Sequence, residues 1–476
     1  MPTPSASTVL FATPSDPLRF YGGLAGALAP FVCFLAGVAF LALNGAPDEK
    51  GFWPILLGAL IVGLLLARDR ARYAEAMLEG MSQRVVMVMI CAWLFAGVMG
   101  AVLNGAGFVA ALAWLARALH VTGGAYVAAA FLACVVVSTA TGTSFGTILL
   151  CGPLLYPAGG PAAAAPAALM GAILAGATFG DSISPVSDTT IASSGSQHVD
   201  IGGTVRSRLR YAIPAGVVAL VASALLGGSG VTVHSAGAAP EGAAVRIAAL
   251  WLLCSPALVI ALLLAKRHLI EALLFGVLSA VAIALGLGLA SPHALLHIAP
   301  ETFGATGLLV DGMQRSVGVI VFTLLLVALV GTLQATDALD RLVRAANGRA
   351  QSPRAAEAWI VAVVSGAVLL TTHSVVAILA VGEFARHTGE RFGITGYRRA
   401  NLLDLTVCTW PFLLPYFLPT ILAAGATQSG AAQQMPLLSA GEIGLYNTYA
   451  WALVVVVIGS VITGYGRVLS RTAVSE

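Results

Sequence analysis

About twelve apolar runs follow one another along the 476 residues, most of them roughly 16–25 residues long. They fall at Phe20–Leu43, Phe52–Ala67, Arg84–Leu103, Ala125–Tyr156, Pro166–Phe179, Leu209–Leu226, Ala244–Ala265, Leu269–Leu289, Val317–Leu333, Ala358–Phe384, Ala400–Ala424 and Tyr446–Tyr465. Lipid offers no partner for backbone N–H and C=O groups, so runs of this length must close their hydrogen bonds internally, as helices. Only 9% of the residues are charged, against about 25% in soluble domains. The chain is therefore expected to be an all-α polytopic membrane protein. A net charge of +3 gives no case for a nucleic-acid partner. The six cysteines stand singly in apolar segments with no CxxC pair, and are expected as buried small hydrophobes. No charged leader with a cleavage site precedes the first run, which begins after Arg19.

Two of the runs are too long and are interrupted by polar residues. Ala125–Tyr156 contains Ser138-Thr-Ala-Thr-Gly-Thr-Ser-Phe-Gly-Thr147, and Ala358–Phe384 contains Thr371-Thr-His-Ser374. A polar stretch midway along such a run predicts a hairpin that enters the bilayer and turns back. A third polar stretch, Gly180-Asp-Ser-Ile-Ser-Pro-Val-Ser-Asp-Thr-Thr190, follows the run that starts at Pro166. It reads as a broken helix at bilayer depth.

The runs also repeat in order and length, with an offset of about 225–233 residues. This divides the chain into a tail 1–19, a first repeat 20–230, a linker 231–243, a second repeat 244–467 and a tail 468–476. The broken helix of the first repeat then pairs with the proline-rich Trp410–Pro419 of the second. Arginines and one lysine at 68–84, 206–210, 266–267, 341–354, 386–399 and 467–471 read as cytoplasmic flanks under the positive-inside rule. That bias gives ten spans, two re-entrant hairpins entering from opposite faces, a broken helix in the first repeat, an extracellular linker and two cytoplasmic termini. The two repeats are then inverted. The expected location is the cell (plasma or inner) membrane, and a homodimer is left open.

Each Asp at the centre of a membrane helix costs roughly 2.5–3.5 kcal/mol on insertion scales. Asp181 and Asp188 carry that cost beside a helix-breaking proline. One alternative is that they cap freed backbone N–H groups, but a Ser or Thr would do so without burying charge. Hard cations take oxygen ligands. Carboxylates, hydroxyls and unwound carbonyls from Asp181, Asp188, Ser184 and Ser187 supply such a set, with Thr141, Thr143 and Ser144 of the first hairpin. A carboxylate removed from water also holds a proton more readily, so cation and proton can compete for one group. His373, at the second hairpin, and Asp404, three residues beyond Asn401, are further proton-coupling candidates. Each has a plain structural reading as well: a neutral hydrogen-bonded histidine, and a first-turn acid favoured by the helix dipole. Asn401, Thr371, Thr372 and Trp410 are candidates for contact with a solute.

The motif Gly180–Thr190 resembles the G-D-x-x-S-P-x-S-D-T-T signature of the NhaC family of sodium/proton antiporters, in the ion-transporter superfamily. Thr141–Thr147, Arg399–Asp404 and Trp410–Tyr416 follow in the family's order. The resemblance implies inverted repeats with re-entrant hairpins, Na⁺ bound near Asp181, Asp188 and the first hairpin tip, and exchange of Na⁺ for H⁺. It implies no cofactor beyond the transported ion. Related carriers move organic anions or amino acids, so a coupled transporter of a small carboxylate or amino acid is the second reading. A membrane enzyme binding diphosphate through Mg²⁺ and paired acids is disfavoured, because no basic side chain stands close in sequence to Asp188.

Overall fold

The computed structural model describes residues 17–43, 51–119, 121–229, 247–265, 267–299 and 304–468. The expected linker 231–243, residues 244–246 and nearly all of both expected tails lie outside the described residues. The helices are α1 (Leu24–Leu43), α2 (Phe52–Leu66), α3 (Arg70–Met81), α4 (Arg84–Gly105), α5 (Phe108–Ala118), α6 (Gly124–Thr141), α7 (Ser144–Gly159), α8 (Pro166–Ile183), α9 (Asp188–Ser196) and α10 (Ile201–Leu226). The second half has α11 (Cys254–Leu264), α12 (Leu269–Gly286), α13 (Leu308–Gln334), α14 (Ala338–Ala346), α15 (Pro353–Thr371), α16 (Ser374–Arg391), α17 (Gly396–Val407), α18 (Leu418–Ala426), α19 (Ala440–Leu445) and α20 (Thr448–Thr463). The strands described are His297–Ala299 and Gly304–Thr306, a short antiparallel ribbon. The protein is thus an all-α polytopic membrane protein. Among the described residues seven helical stretches are long and apolar enough to cross a bilayer, and five shorter apolar helices accompany them.

The polar interruptions turn the chain where the sequence places them. α6 ends at Gly142, whose φ is +69°, and Thr143 opens α7 in extended conformation with its side chain accepting from the Gly146 N–H. α15 ends at Thr372 with φ +52°, and His373 opens α16 in extended conformation. The two tips therefore share one backbone path, a left-handed residue followed by an extended one. Glycine takes that first position without strain; Thr372 takes it against its β-branch. α8 stops at Ile183, Pro185 cannot donate a backbone bond, and α9 restarts at Asp188. In the second half α17 stops at Val407, a short 3₁₀ turn covers Trp410–Phe412, and α18 restarts at Leu418. Both halves of the chain thus carry a broken helix, not the first alone. Ser144 and Ser374, Pro166 and Gly396, and Asp188 and Leu418 open corresponding helices, each pair 230 residues apart.

The helices form two packed groups. α6–α10 and α15–α20 surround the hairpins and breaks, while α1–α4 and α11–α13 pack beside them. Small residues set both packings. A Cβ on Gly176 would meet the Phe131 carbonyl oxygen at 2.4 Å, and one on Gly180 would meet the Val135 carbonyl oxygen at 2.6 Å, so α8 lies directly on the α6 backbone. Gly97 of α4 and Gly312 of α13 approach in the same way.

Two expectations are corrected. Arg206, Arg208 and Arg210 do not flank a loop; α10 starts at Ile201 and contains all three. Arg208, Arg398 and Arg399 are buried, not solvated flanks. Arg398 makes a two-pronged ion pair with Glu357 at 2.9 and 3.0 Å, and Arg467 joins the same carboxylate at 2.7 Å. Of the cysteines, Cys134, Cys151 and Cys408 are buried, whereas Cys33 and Cys254 are exposed; all six are free thiols.

Candidate functional site

The first hairpin tip and the α8–α9 break are built against each other. Where α8 ends, its last carbonyls and the first N–H groups of α9 lose their intrahelical partners. Ser184 answers part of this: its Oγ donates to the Thr139 carbonyl at 2.8 Å and accepts from the Val186 N–H at 3.3 Å. The Ser138 hydroxyl donates to the Ala177 carbonyl at 2.6 Å. The tip glycine, Gly142, sits so close to Val186 that a Cβ there would meet the Val186 carbonyl carbon and oxygen at 2.8 Å.

That contact brings Asp181 to the N-terminus of α7. Its Oδ2 accepts from the Ser144 N–H at 3.3 Å, where the helix dipole favours a negative charge. Its Oδ1 is buried and has no hydrogen-bond partner in the protein. Asp181 faces a cavity also lined by Asp188, Ser187, Thr143, Ser144, Thr372 and His373. Asp188 is exposed to this space, at the first position of α9, and Ser187 precedes it, sharing a 3.1 Å hydrogen bond with Thr189. The other wall is the second hairpin tip with Pro411, Phe412, Leu418 and Pro419. His373 Nδ1 is buried without a partner.

Sequence-level candidates divide at this cavity. Asp181, Asp188, Ser187, Thr143, Ser144, Thr372 and His373 converge on it. Ser184 is spent on the break itself, and the Thr141 hydroxyl turns back to the Val137 carbonyl at 2.9 Å. Thr371 is buried behind the second tip, its carbonyl accepting from Gln334 at 2.9 Å. Trp410 donates its indole N–H to Ser365 Oγ at 2.9 Å. Asn401 and Asp404 lie behind the break, in contact with Arg208: the Arg208–Asp404 ion pair measures 2.6 Å with both side chains fully buried.

Arg208 is the member of this region that sequence reasoning placed elsewhere. A signal for it exists. Thr204, Arg208, Ala212, Ala215 and Ala219 follow the three-to-four spacing of one buried helix face. The start of α10 is fixed by Asp200, whose side chain accepts from the Gly203 N–H at 2.6 Å and from the Tyr397 hydroxyl. The Tyr397 hydrogen bond, then the Gly203 one, holds this exposed carboxyl below its usual range.

The arrangement offers two carboxylates, hydroxyls and an orphaned carboxylate oxygen in one cavity between two helix breaks. A profile of the Na⁺/H⁺ antiporter family matches residues 24–227 and 239–409. The chain belongs to the Na⁺/H⁺ antiporter family. It is 28% identical over 195 residues to the malate-2H⁺/Na⁺-lactate antiporter of Bacillus subtilis (strain 168), covering 41% of each chain. It is 30% identical over 181 residues to the Na⁺/H⁺ antiporter NhaC of Alkalihalophilus pseudofirmus, covering 36% of this chain and 38% of that one. It is 29% identical over 213 residues to the arginine/ornithine antiporter ArcD of Halobacterium salinarum, covering 42% and 40%. The chain thus spans about two fifths of the length of these relatives in the matched stretches.

The tip–break contact of this family member is testable at Gly142. A side chain there meets the Val186 carbonyl as well as the Val186 Cγ2, and the left-handed φ adds roughly 1–2 kcal/mol of strain. Gly142→Ala is expected to destabilise the folded protein by about 1–3 kcal/mol. Gly142→Asn, which tolerates the φ but not the contact, should behave alike. Thermal unfolding of the detergent-solubilised protein checks this, and wild-type stability in both variants would refute the contact's role.

Proposed function

We propose that the protein exchanges Na⁺ for H⁺ across the cell membrane, with both ions competing for Asp181 and Asp188. The observation that carries this reading is Asp181 Oδ1, a buried carboxylate oxygen with no partner, facing a cavity that also holds Asp188. Na⁺ would complete that oxygen's shell together with Asp188 and the hydroxyls of Thr143, Ser144 and Ser187. On one side of the membrane the cation binds the deprotonated pair; the site reorients, and protons displace the cation on the other side. The chemistry needs no resident cofactor and no covalent step. Removing one charged ligand forfeits about 2 kcal/mol or more, so Asp181→Asn and Asp188→Asn should each lower Na⁺-driven proton movement by about thirtyfold or more while the protein still inserts. A pH-dye assay on everted vesicles reads this directly. Wild-type exchange in both variants would place the site elsewhere.

Competition also fixes a sign for pH. Na⁺ binds the ionised pair, and lowering the pH fills the pair with protons. The apparent KM for Na⁺ should therefore rise as pH falls through the site's titration, by up to about tenfold per pH unit for each proton displaced. The maximal rate should change little. Two interacting carboxyls titrate as a pair, in two coupled steps. Uptake measured across about pH 5.5 to 9 tests this; a constant KM with a falling maximal rate would mean that the proton acts at another group, with His373 next in line.

The orientation we propose has both termini in the cytoplasm, the first hairpin entering from outside and the second from inside. The arginine bias supports it. In a Cys-free background, single cysteines at exposed Thr122 and Gln351 should react with a membrane-impermeant reagent from outside and inside respectively. Reaction of both from one face would overturn the inverted topology.

A second reading is coupled transport of a small organic solute, carboxylate or amino acid. The asymmetry of the cavity favours it: the wall opposite the acids is His373, Thr372, Phe412 and Pro411, which are groups that could line a solute. Relatives named for malate/lactate and arginine/ornithine exchange point the same way. Stimulation of Na⁺ flux by such a solute in proteoliposomes would separate the two readings.

A further inference from the structure

Among the described residues Arg208 is the largest side chain with no solvent exposure. Its guanidinium reaches four partners at 3.0 Å or less on three elements, and Nη2 lies 3.5 Å from a fifth, the Ser193 hydroxyl. Nη2 pairs with Asp404 Oδ2 at 2.6 Å, and Nε donates to Asn401 Oδ1 at 3.0 Å, both on α17. Nη1 donates to the Ser182 carbonyl at 2.9 Å and to Thr190 Oγ1 at 2.7 Å. These last two acceptors lie on opposite sides of the break. Ser182 is in the last turn of α8, next to Asp181. Thr190 is in the first turn of α9, two residues from Asp188. The Ser182 carbonyl is among those that a helix end leaves without an intrahelical partner. A planar guanidinium with five donors can serve all four acceptors at once, whereas an ammonium cannot hold that fork.

Asp404 differs from Asp181 in how its oxygens are used. Its Oδ2 takes the Arg208 pair and the Ser193 hydroxyl at 3.0 Å, and its Oδ1 faces the Cys408 thiol at 3.6 Å. Oδ2 is committed to Arg208 and Ser193, while Oδ1 has the thiol as a weak donor. Asp181 keeps Oδ1 without a partner. The two carboxylates near the break therefore have separate parts. A buried ion pair is by itself weak evidence for stability; what this one supplies is direction, because its donors are aimed at fixed backbone and side-chain acceptors across a discontinuity.

We propose that Arg208 is the positioning residue of the cation site: it clamps the two halves of the broken helix onto α17, and its pairing keeps Asp404 a fixed structural anion that carries neither Na⁺ nor a transported proton. The inference rests on the reading that Asp181 and Asp188 hold the cation.

The test uses the full chain in proteoliposomes, with Na⁺ uptake and Na⁺-driven proton movement measured for each variant. Arg208→Lys keeps the charge opposite Asp404 but loses the fork. Its KM for Na⁺ should rise about tenfold with kcat within about threefold of wild type. Thr190→Val removes one acceptor and leaves the ion pair intact. Its KM should rise about threefold, again with little change in kcat. The pair Arg208→Gln with Asp404→Asn deletes both charges together, and should still move protons when Na⁺ is added, with a KM nearer wild type than Asp404→Asn alone. Wild-type KM in both Arg208→Lys and Thr190→Val would overturn the clamp. A double variant that elutes as a monodisperse protein yet moves no protons would overturn the assignment of Asp404 and make it a proton carrier. Should the double variant not fold, Arg208→Lys and Thr190→Val still decide the clamp, and Asp404→Asn still decides Asp404: loss of the transported proton with Na⁺ binding retained overturns its assignment. Failure of the exchange reading itself shows separately, as no Na⁺-driven proton movement in wild type or as normal exchange in Asp181→Asn.

Discussion

A helix that stops inside a bilayer must find partners for its last carbonyls and for its successor's first N–H groups, because lipid supplies none. The α8–α9 break depends on this constraint more than on any side chain in it. The break is met from three directions. The first hairpin tip reaches it through Ser184 and the Thr139 carbonyl. The N-terminus of α7 reaches Asp181 through the Ser144 N–H. Arg208 reaches the Ser182 carbonyl from α10. Two demands stay unmet among the buried atoms lining this cavity, the Asp181 Oδ1 and the His373 Nδ1. A polar atom left alone inside a protein costs about 1–3 kcal/mol, more when charged, and its position in a cavity is what makes it chemically informative.

Close approach of backbone to backbone makes this accounting rigid. Gly176 and Gly180 bring α8 within 2.4–2.6 Å, at a notional Cβ, of α6 carbonyl oxygens, and Gly142 brings the tip as close to the Val186 carbonyl, at 2.8 Å. A stiff hairpin–break unit can present its ligands in one geometry. The same device joins α4 to α13 through Gly97 and Gly312, so each packed group holds together largely by shape, as expected where the hydrophobic effect no longer separates helix from solvent.

The two halves of the chain share a local backbone path at their hairpin tips and helix breaks and differ in chemistry. Their hairpin tips follow the same left-handed-then-extended path, at Gly142–Thr143 and Thr372–His373. Both are followed by a broken helix with the same 230-residue displacement. Carried over by that displacement, Asp181 corresponds to Pro411, Ser187 to Phe417 and Asp188 to Leu418. One repeat therefore brings carboxylates to the cavity and the other brings prolines, apolar side chains and an imidazole. A pseudo-symmetric frame with one charged half gives a site with a charged wall and a neutral one.

The sequence by itself determined the all-α membrane class, the two hairpins and the break, because these are set by local quantities: the length of apolar runs, and the glycines, prolines and hydroxyls that stop them. Asp181, Asp188, Ser187, Thr143 and Ser144 stand out in it as candidates, because carboxylates and hydroxyls within apolar runs are costly wherever they pack, and the structure brings these five to one cavity. Tertiary structure alone decided how the arginines are used. Arg208, Arg398 and Arg399 read as solvated flanks, since a cation near a run's end normally meets water. They are buried because carboxylates or amides far away in sequence, Asp404 and Asn401, Glu357, and Gln197, fold against them. It also decided which hydroxyls face the cavity. Thr141 and Thr143 are two residues apart at one tip, yet the first turns back to its own helix and the second lines the cavity. That choice follows from the left-handed turn at Gly142 between them, and from the Val186 backbone that holds the turn in place; the glycine is legible locally, but the Val186 contact, 44 residues on, is not.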